Sequence, residues 1–411
     1  MAINKSLLAL NFFSADVRDG LGPYLAIYLG VMLQWEPGAI GIALAVSTIA
    51  TVAVQPFAGA IIDRSERKRM LLIVSALAIA AAAVAMPYIP WDGIVYASQV
   101  AIGAAGAFVP PTIAAITLGI VGQIGFTQQT SANEAANHTG NVVTAILVVL
   151  LAEYVSPLGV FWLLIFMALG MLISVLTIKP ALIDHVAARG GVTQGEGHKA
   201  AKPPRRLKLF LEDRRLLVFA ICIVLFHFAN AAMLPLVSQK LSANSGATLG
   251  IEFTSACIIA AQFVMILMAA LCGRTADSWG RKPLFILAFA ILPFRGLLYT
   301  IYDVPYFLVA VQALDGVANG IFGVLFLLIT ADITRGSGHF NLAQGVLTAL
   351  VGVGAASSNI VAEQIVQFAG FNPAFYFLSG VAAVGLLVFV LFMPETAPHA
   401  RRDKPEPAPV V

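Results

Sequence analysis

Charge is what this sequence has least of. Of its 411 residues only 11% are Asp, Glu, Lys or Arg, where a soluble domain carries about 25%. That shortage excludes an ordinary water-facing globular surface. Cysteine is scarce too. Cys222, Cys257 and Cys272 all lie inside apolar runs, with no disulfide framework and no metal-ligand spacing; they read as small buried packing residues. There is no H-E-x-x-H and no P-loop, so zinc-protease chemistry and a self-contained nucleotide-driven motor are not indicated. The alternating segments of about 10 residues that build membrane β-barrels are missing as well. What is present is apolar: 59% of residues are hydrophobic, and the mean hydropathy is +0.90. The apolar residues stand in runs long enough to cross roughly 30 Å of hydrocarbon as helices.

Twelve helical spans are predicted, at about 6–33, 38–62, 70–89, 93–122, 131–153, 158–178, 213–240, 248–273, 282–301, 304–331, 340–368 and 372–393. The first run is too long for a signal-peptide core and reads as a retained span. Most connections are short and carry turn residues, such as Glu36-Pro37-Gly38 and Phe371-Asn372-Pro373. One is long: 180–212, rich in Gly, Lys, Arg and Pro, divides the chain near its middle. The expected organisation is therefore an N-terminal bundle over 1–179, a central loop over 180–212, a C-terminal bundle over 213–394, and a disordered Pro-rich tail over 395–411. Basic residues gather at both termini and in the connections after spans 2, 6, 8 and 10, whereas the opposite side holds only Lys240. Positive residues stay in the cytoplasm, which places both termini and the central loop there.

The two halves repeat. Residues 59–69 read G-A-I-I-D-R-S-E-R-K-R and residues 273–283 read G-R-T-A-D-S-W-G-R-K-P. Gly59 and Asp63 match Gly273 and Asp277 at an offset of 214; Gln99 and Gly103 match Gln312 and Gly316 at 213; Pro23 matches Pro235 at 212. A parallel duplication of six helices is a known transporter architecture. The loops after spans 2 and 8 resemble the G-x-x-x-D-(R)-x-G-R-K signature of the major facilitator superfamily, with Glu66 where a Gly is usual and Ser278 where an Arg is usual. Pro394-Glu395-Thr396 resembles a common terminus of the same superfamily. The resemblance covers every span. It implies an all-α integral membrane protein whose twelve transmembrane helices form two pseudo-symmetric six-helix bundles.

In both loops an Asp closes one helix and basic residues open the next. Gly59, Asp63, Arg64, Arg67 and Lys68, with Gly273, Asp277, Gly280, Arg281 and Lys282, can thus form a cytoplasmic latch of charge-assisted hydrogen bonds. The resemblance further implies that spans 1, 4, 7 and 10 line a central cavity. Ionisable groups within a membrane are expensive and mark cavities or partners, and those four spans carry Asp16, Arg18 and Asp19, then Gln99, then His227 and Asn230, then Gln312, Asp315 and Asn319. Asp16 and Asp19 share a face, as do Gln312, Asp315 and Asn319. Gly20, Gly22 and Pro23 are expected to bend span 1, and Pro110-Pro111 to kink span 4. Asp315 is the first choice for a proton-carrying group, with Asp16 and Asp19 next; the substrate and proton candidates are these nine residues. On span 5, Asn133, Asn137 and Asn141 form a stripe and Glu134 can reach His138. These five suit a gate, although Ser131-x-x-Glu134 also suits the start of a helix. Arg295 in span 9 reads as structurally paired or snorkelling.

The expected function is secondary active transport of a small organic solute by alternating access, proton-coupled as symporter or antiporter, in the cell inner membrane. Uptake and efflux both fit, as do a proton-independent facilitator and a drug exporter. Gln99 stands where proton-antiporting drug exporters of the superfamily commonly carry Arg, which weighs against the last. A membrane enzyme lacks its motifs, and a sensor lacks a signalling domain. No cofactor, metal or nucleic-acid partner is expected; the partners are solute, protons and the lipid bilayer, and the expected state is a monomer.

Overall fold

The computed structural model describes residues 3–19, 25, 28–29, 33–89, 91–154, 159–191, 213–245 and 247–397. Its helices are α1 (Lys5–Asp19), α2 (Pro37–Arg64), α3 (Lys68–Tyr88), α4 (Asp92–Gly106), α5 (Val109–Tyr154), α6 (Gly159–Thr177), α7 (Arg214–Asn230), α8 (Met233–Ser245), α9 (Ala247–Trp279), α10 (Arg281–Leu298), α11 (Pro305–Thr334), α12 (Phe340–Ala369) and α13 (Phe371–Phe392). Two short 3-10 turns, Pro180–Leu182 and Ala187–Arg189, follow α6. There is no strand among the described residues.

Prolines and caps set the helix starts. Pro37 and Pro305 occupy the first turns of α2 and α11, where no intrahelical N–H is needed. Asp213 caps α7, its carboxylate accepting from the Arg215 backbone N–H at 2.9 Å. Pro110-Pro111 does more than kink a span: the chain turns at Ala107–Phe108 and the proline pair opens α5. Predicted span 7 is likewise divided at Ala231–Ala232 into α7 and α8, with Pro235 in the first turn of α8. The bend expected at Gly20, Gly22 and Pro23 lies outside the described residues.

The start of predicted span 5 needs correction. Gly122, at φ 62° and ψ −176°, is the only non-helical residue within α5, and helix resumes directly after it. Ser131 and Glu134 are therefore mid-helix, and the buried Ser131 hydroxyl has no hydrogen-bond partner. A capping box needs free backbone N–H groups, and at Ser131 the helix has already consumed them.

Eight helical stretches among the described residues are long and apolar enough to cross a membrane, one of them Asp92–Val148, which takes in α4 and most of α5 and covers two predicted segments. Phe161–Thr177 is apolar but shorter, and α10 contains three basic residues, Arg281, Lys282 and Arg295. Large apolar side chains stay exposed along these helices, including Ile49, Phe57, Phe263 and Leu391. In hydrocarbon such a face needs no cover.

Two compact units make up the fold. The first is Met1–Pro203 with Gly336–Gly352, the second Pro204–Arg335 with Val353–Val411. In the first, α1 packs on α5 and α6, α2 on α4, and α3 on α4 and α6, around Leu72, Ile79, Ile102, Leu164 and Met171. In the second, α9 packs on α11, and α10 and α7 on α13. Its core includes an aromatic stack of Phe226, Phe285, Phe289, Phe322 and Phe389. The sequence repeat persists at the level of contacts. At Gly103 the Ser47 carbonyl of α2 occupies the space a Cβ would need, and at Gly316 the Ala261 carbonyl of α9 does the same.

Candidate functional site

Within the second unit the polar side chains of α7, α10 and α11 close into a ring. Arg295 is almost wholly buried, with 1% of its side chain exposed. Its Nη1 donates to Asp315 Oδ1 in an ion pair, and its Nη2 donates to Asn230 Oδ1 at 2.6 Å and to Met233 Sδ at 3.0 Å. Asn319 Nδ2 donates to the same Asp315 oxygen at 2.8 Å, and Asn230 Nδ2 reaches Asn319 Oδ1 at 3.4 Å. Asp315 and Asn319 stand one helical turn apart on α11, so a single face of that helix presents both. The carboxylate neutralises the one guanidinium, as a buried charge requires.

Just past the end of α10, Tyr299 O–H donates to Gln312 Oε1. Gln312 has no exposed surface, so the predicted stripe on α11 is split: Gln312 faces α10 within the core, while Asp315 and Asn319 join the ring. Arg295 Nε and Gln312 Nε2 are buried donors without partners. His227 contacts the Ile223 carbonyl through Nδ1 at 3.2 Å and sits edge-on to Phe322. Glu363 accepts from Gln239 at 2.5 Å, away from these residues.

Among the described residues the first unit shows no such ring. Gln99 is buried, its amide 3.8 Å from Met86 Sδ. At the 213-residue offset relating Gln99 to Gln312, Met86 is the counterpart of Tyr299, Ala82 of Arg295 and Ile102 of Asp315. The fold thus fills one position of its pseudo-symmetry with Ala82 and Ile102, both in the apolar core, and the other with an ion pair. Asn133 and Asn137 serve a different end. Gln129 links the Asn4 backbone N–H (2.8 Å) to Asn133 (2.9 Å), Asn133 donates to Thr117 (3.0 Å), and Asn137 donates to the Asn11 carbonyl (3.4 Å). The bonds to Asn4 and Asn11 fasten α5 to α1 and its start, while the Asn133–Thr117 bond joins the two parts of α5 on either side of Gly122. Glu134 and His138 lie one turn apart on α5, and Asn141 is half-buried there. Asp16, Arg18 and Asp19 lie on α1, and their side chains fall outside the described residues.

The two loop motifs differ. In the first unit both Asp63 oxygens accept from the start of α12: the Asn341 backbone N–H (3.1 Å), Asn341 Nδ2 (2.9 Å) and the Leu342 N–H (2.9 Å). A carboxylate at a helix N-terminus meets unpaired N–H groups and the positive end of the dipole. Gly59 makes the approach possible, since the Asn341 carbonyl fills the space of a Cβ. Lys68 is buried and donates to the Ser65 carbonyl at 2.7 Å, while Arg64 and Arg67 are exposed. In the second unit Arg281 is the centre, pairing with Asp277 at 2.8 Å and Asp332 at 3.1 Å. Glu395 accepts from the Arg281 and Lys282 backbone N–H groups at 2.9 and 3.0 Å, and Lys282 Nζ reaches the Val390 carbonyl at 2.7 Å. Sequence reasoning missed Asn341 and Asp332. Asp332, an acid at the end of a span, carried a signal; Asn341 carried none.

The model of the Major Facilitator Superfamily matches residues 7–272 and 243–411. The chain belongs to that superfamily. An uncharacterized MFS-type transporter of Mycobacterium tuberculosis, in strain H37Rv and again in strain CDC 1551 / Oshkosh, is 44% identical over 406 residues, covering 98% of this chain and 96% of the relative. The solved structure of the MFS proton:xylose symporter XylE bound to 6-bromo-6-deoxy-D-glucose superposes with a TM-score of 0.70 over 95% of both chains at 14% identity, a likeness of fold. As a member of the superfamily the chain is a multi-pass membrane transporter and not an enzyme.

Proposed function

We propose that this MFS protein is a proton-coupled secondary transporter of a small organic solute, working by alternating access, with Asp315 as the proton carrier and Arg295 as its electrostatic partner. One observation carries the reading: a buried ion pair occupies a place where the symmetry-related half manages with Ala82 and Ile102. The fold does not require the pair, and a buried pair adds little stability over apolar packing. Its use then lies in breaking. When Asp315 takes up a proton it loses its charge, and Arg295 is left buried and uncompensated. The guanidinium, already bonded to Asn230 through Nη2, must then find another acceptor in an anionic or polar group of the solute. Proton and solute are thereby linked through one cation. The basic connections support a reading in which both termini lie on the cytoplasmic side of an inner membrane, and the transporter is taken to act as a monomer. The sugar of XylE is not carried over, because the likeness is of fold alone.

A ligand-stabilisation screen of the purified chain against sugars, organic acids, amino acids, cations and antimicrobials identifies the solute. Flux is then measured in proteoliposomes with and without an imposed proton gradient. Asp315→Asn is expected to abolish gradient-driven accumulation while leaving solute exchange at equal pH. Accumulation unchanged by the substitution, or flux indifferent to the gradient, rejects the coupling and leaves a facilitator.

A further inference from the structure

A cleft of about 330 Å³ opens in the first unit where the start of α3 meets the end of α6. Its rim is polar, lined by Arg67, Arg69 and His185 with a single carboxylate, Glu66. Arg69 donates through Nε and Nη2 to the Val175 and Leu176 carbonyls at 3.2 and 3.3 Å, which uses two of five donors. Arg67 is exposed and has no side-chain partner among the described residues. His185 Nδ1 is shielded from solvent and unpaired. The floor is aliphatic, formed by Met70, Ile73, Leu176 and Ile183.

The apolar floor does not stop at the cleft. On α6 the exposed side chains Trp162, Phe166, Leu169, Ile173 and Leu176 recur at intervals of three and four, and on α3 Met70, Val74 and Leu77 do the same. Because α3 packs on α6, the two stripes run from the cationic end into the apolar surface of the unit. A charged end continuous with a long hydrocarbon-facing seam is the shape of one occupant. We propose that the cleft binds an anionic phospholipid, its phosphate between Arg67, Arg69 and His185 and an acyl chain along the α3–α6 seam. A soluble phosphate would use the rim and leave the seam empty; a zwitterionic lipid would use the seam and gain little from the rim.

The test is native mass spectrometry of the full-length protein in detergent, titrated with phosphatidylglycerol and with phosphatidylcholine of the same acyl chains. Phosphatidylglycerol is expected to bind at least several-fold tighter. Arg67→Gln, on an exposed side chain that leaves folding intact, is expected to weaken phosphatidylglycerol by about fivefold, the effect of one basic residue at an anionic surface. Arg274→Gln, the same loss of charge at an exposed site in the other unit, is expected to change nothing. Leu176→Trp is expected to fill the floor and weaken both lipids. Equal binding of the two lipids overturns the proposal, as does an Arg67→Gln protein that binds phosphatidylglycerol normally. An Arg274→Gln effect as large as that of Arg67→Gln overturns it in favour of non-specific charge. Displacement of the lipid by glycerol phosphate overturns it in favour of a free-anion site.

Discussion

At the scale of single residues, the second unit is organised by one guanidinium that has nowhere to go. Arg295 lies 1% exposed, and among the described residues Asp315 alone neutralises it. Removing one partner of a buried pair strands the other charge, whereas removing both does not. Asp315→Ala is accordingly expected to destabilise the protein by about 3–5 kcal/mol, read as a lowered unfolding temperature in detergent. The double variant Arg295→Met with Asp315→Leu is expected to recover most of that stability without recovering gradient-driven transport. A double variant as unstable as the single one would mean that the ring, rather than the charge balance, holds these helices. The acid Asp315 was legible in the sequence as an ionisable group in an apolar run. Its partner was not: Arg295 reads from sequence as paired or snorkelling, and its burial decides for pairing. Asp63 was legible as one end of a latch, but its partners at Asn341 and Leu342 are 278 and 279 residues away, with no motif of their own.

At the scale of elements, α5 shows how one backbone conformation sets a boundary that side-chain patterns misplace. Capping chemistry at Ser131 and Glu134 argues for a start there, yet helix runs on either side, and the departure sits at Gly122. A Cβ at Gly122 or at Gly380 would meet no atom within 4 Å. The two differ only in backbone, Gly122 having φ 62° while Gly380 lies inside α13. Gly122→Ala should therefore cost about 1–3 kcal/mol in strain, and Gly380→Ala should be neutral or stabilising by about 0.5–1 kcal/mol. Thermal unfolding of the two variants side by side checks this. Equal effects would show that the Gly122 conformation is not what divides the helix.

At the scale of the whole molecule, the proposed orientation rests on the distribution of Lys and Arg. Reporter fusions in the 180–212 connection and after Ala397 are expected to show cytoplasmic activity, and a fusion beside Asp303 periplasmic activity; the reverse pattern would overturn the orientation. The sequence by itself determined the membrane class, the internal repeat and the superfamily. Each of these rests on composition, run length or a local motif, and all are properties of neighbouring residues. Only the tertiary structure decided which polar groups meet. Helices that are apolar on every side carry no amphipathic signal to say which face turns inward, so nothing local tells that Gln312 faces Tyr299 while Asp315 faces Arg295. Those pairings follow from how helices rotate and pack, with Gly103 and Gly316 each letting a neighbouring backbone come close. Pseudo-symmetry repeats that packing in both units, and the ion pair that breaks it in the second is visible only once the side chains are in place.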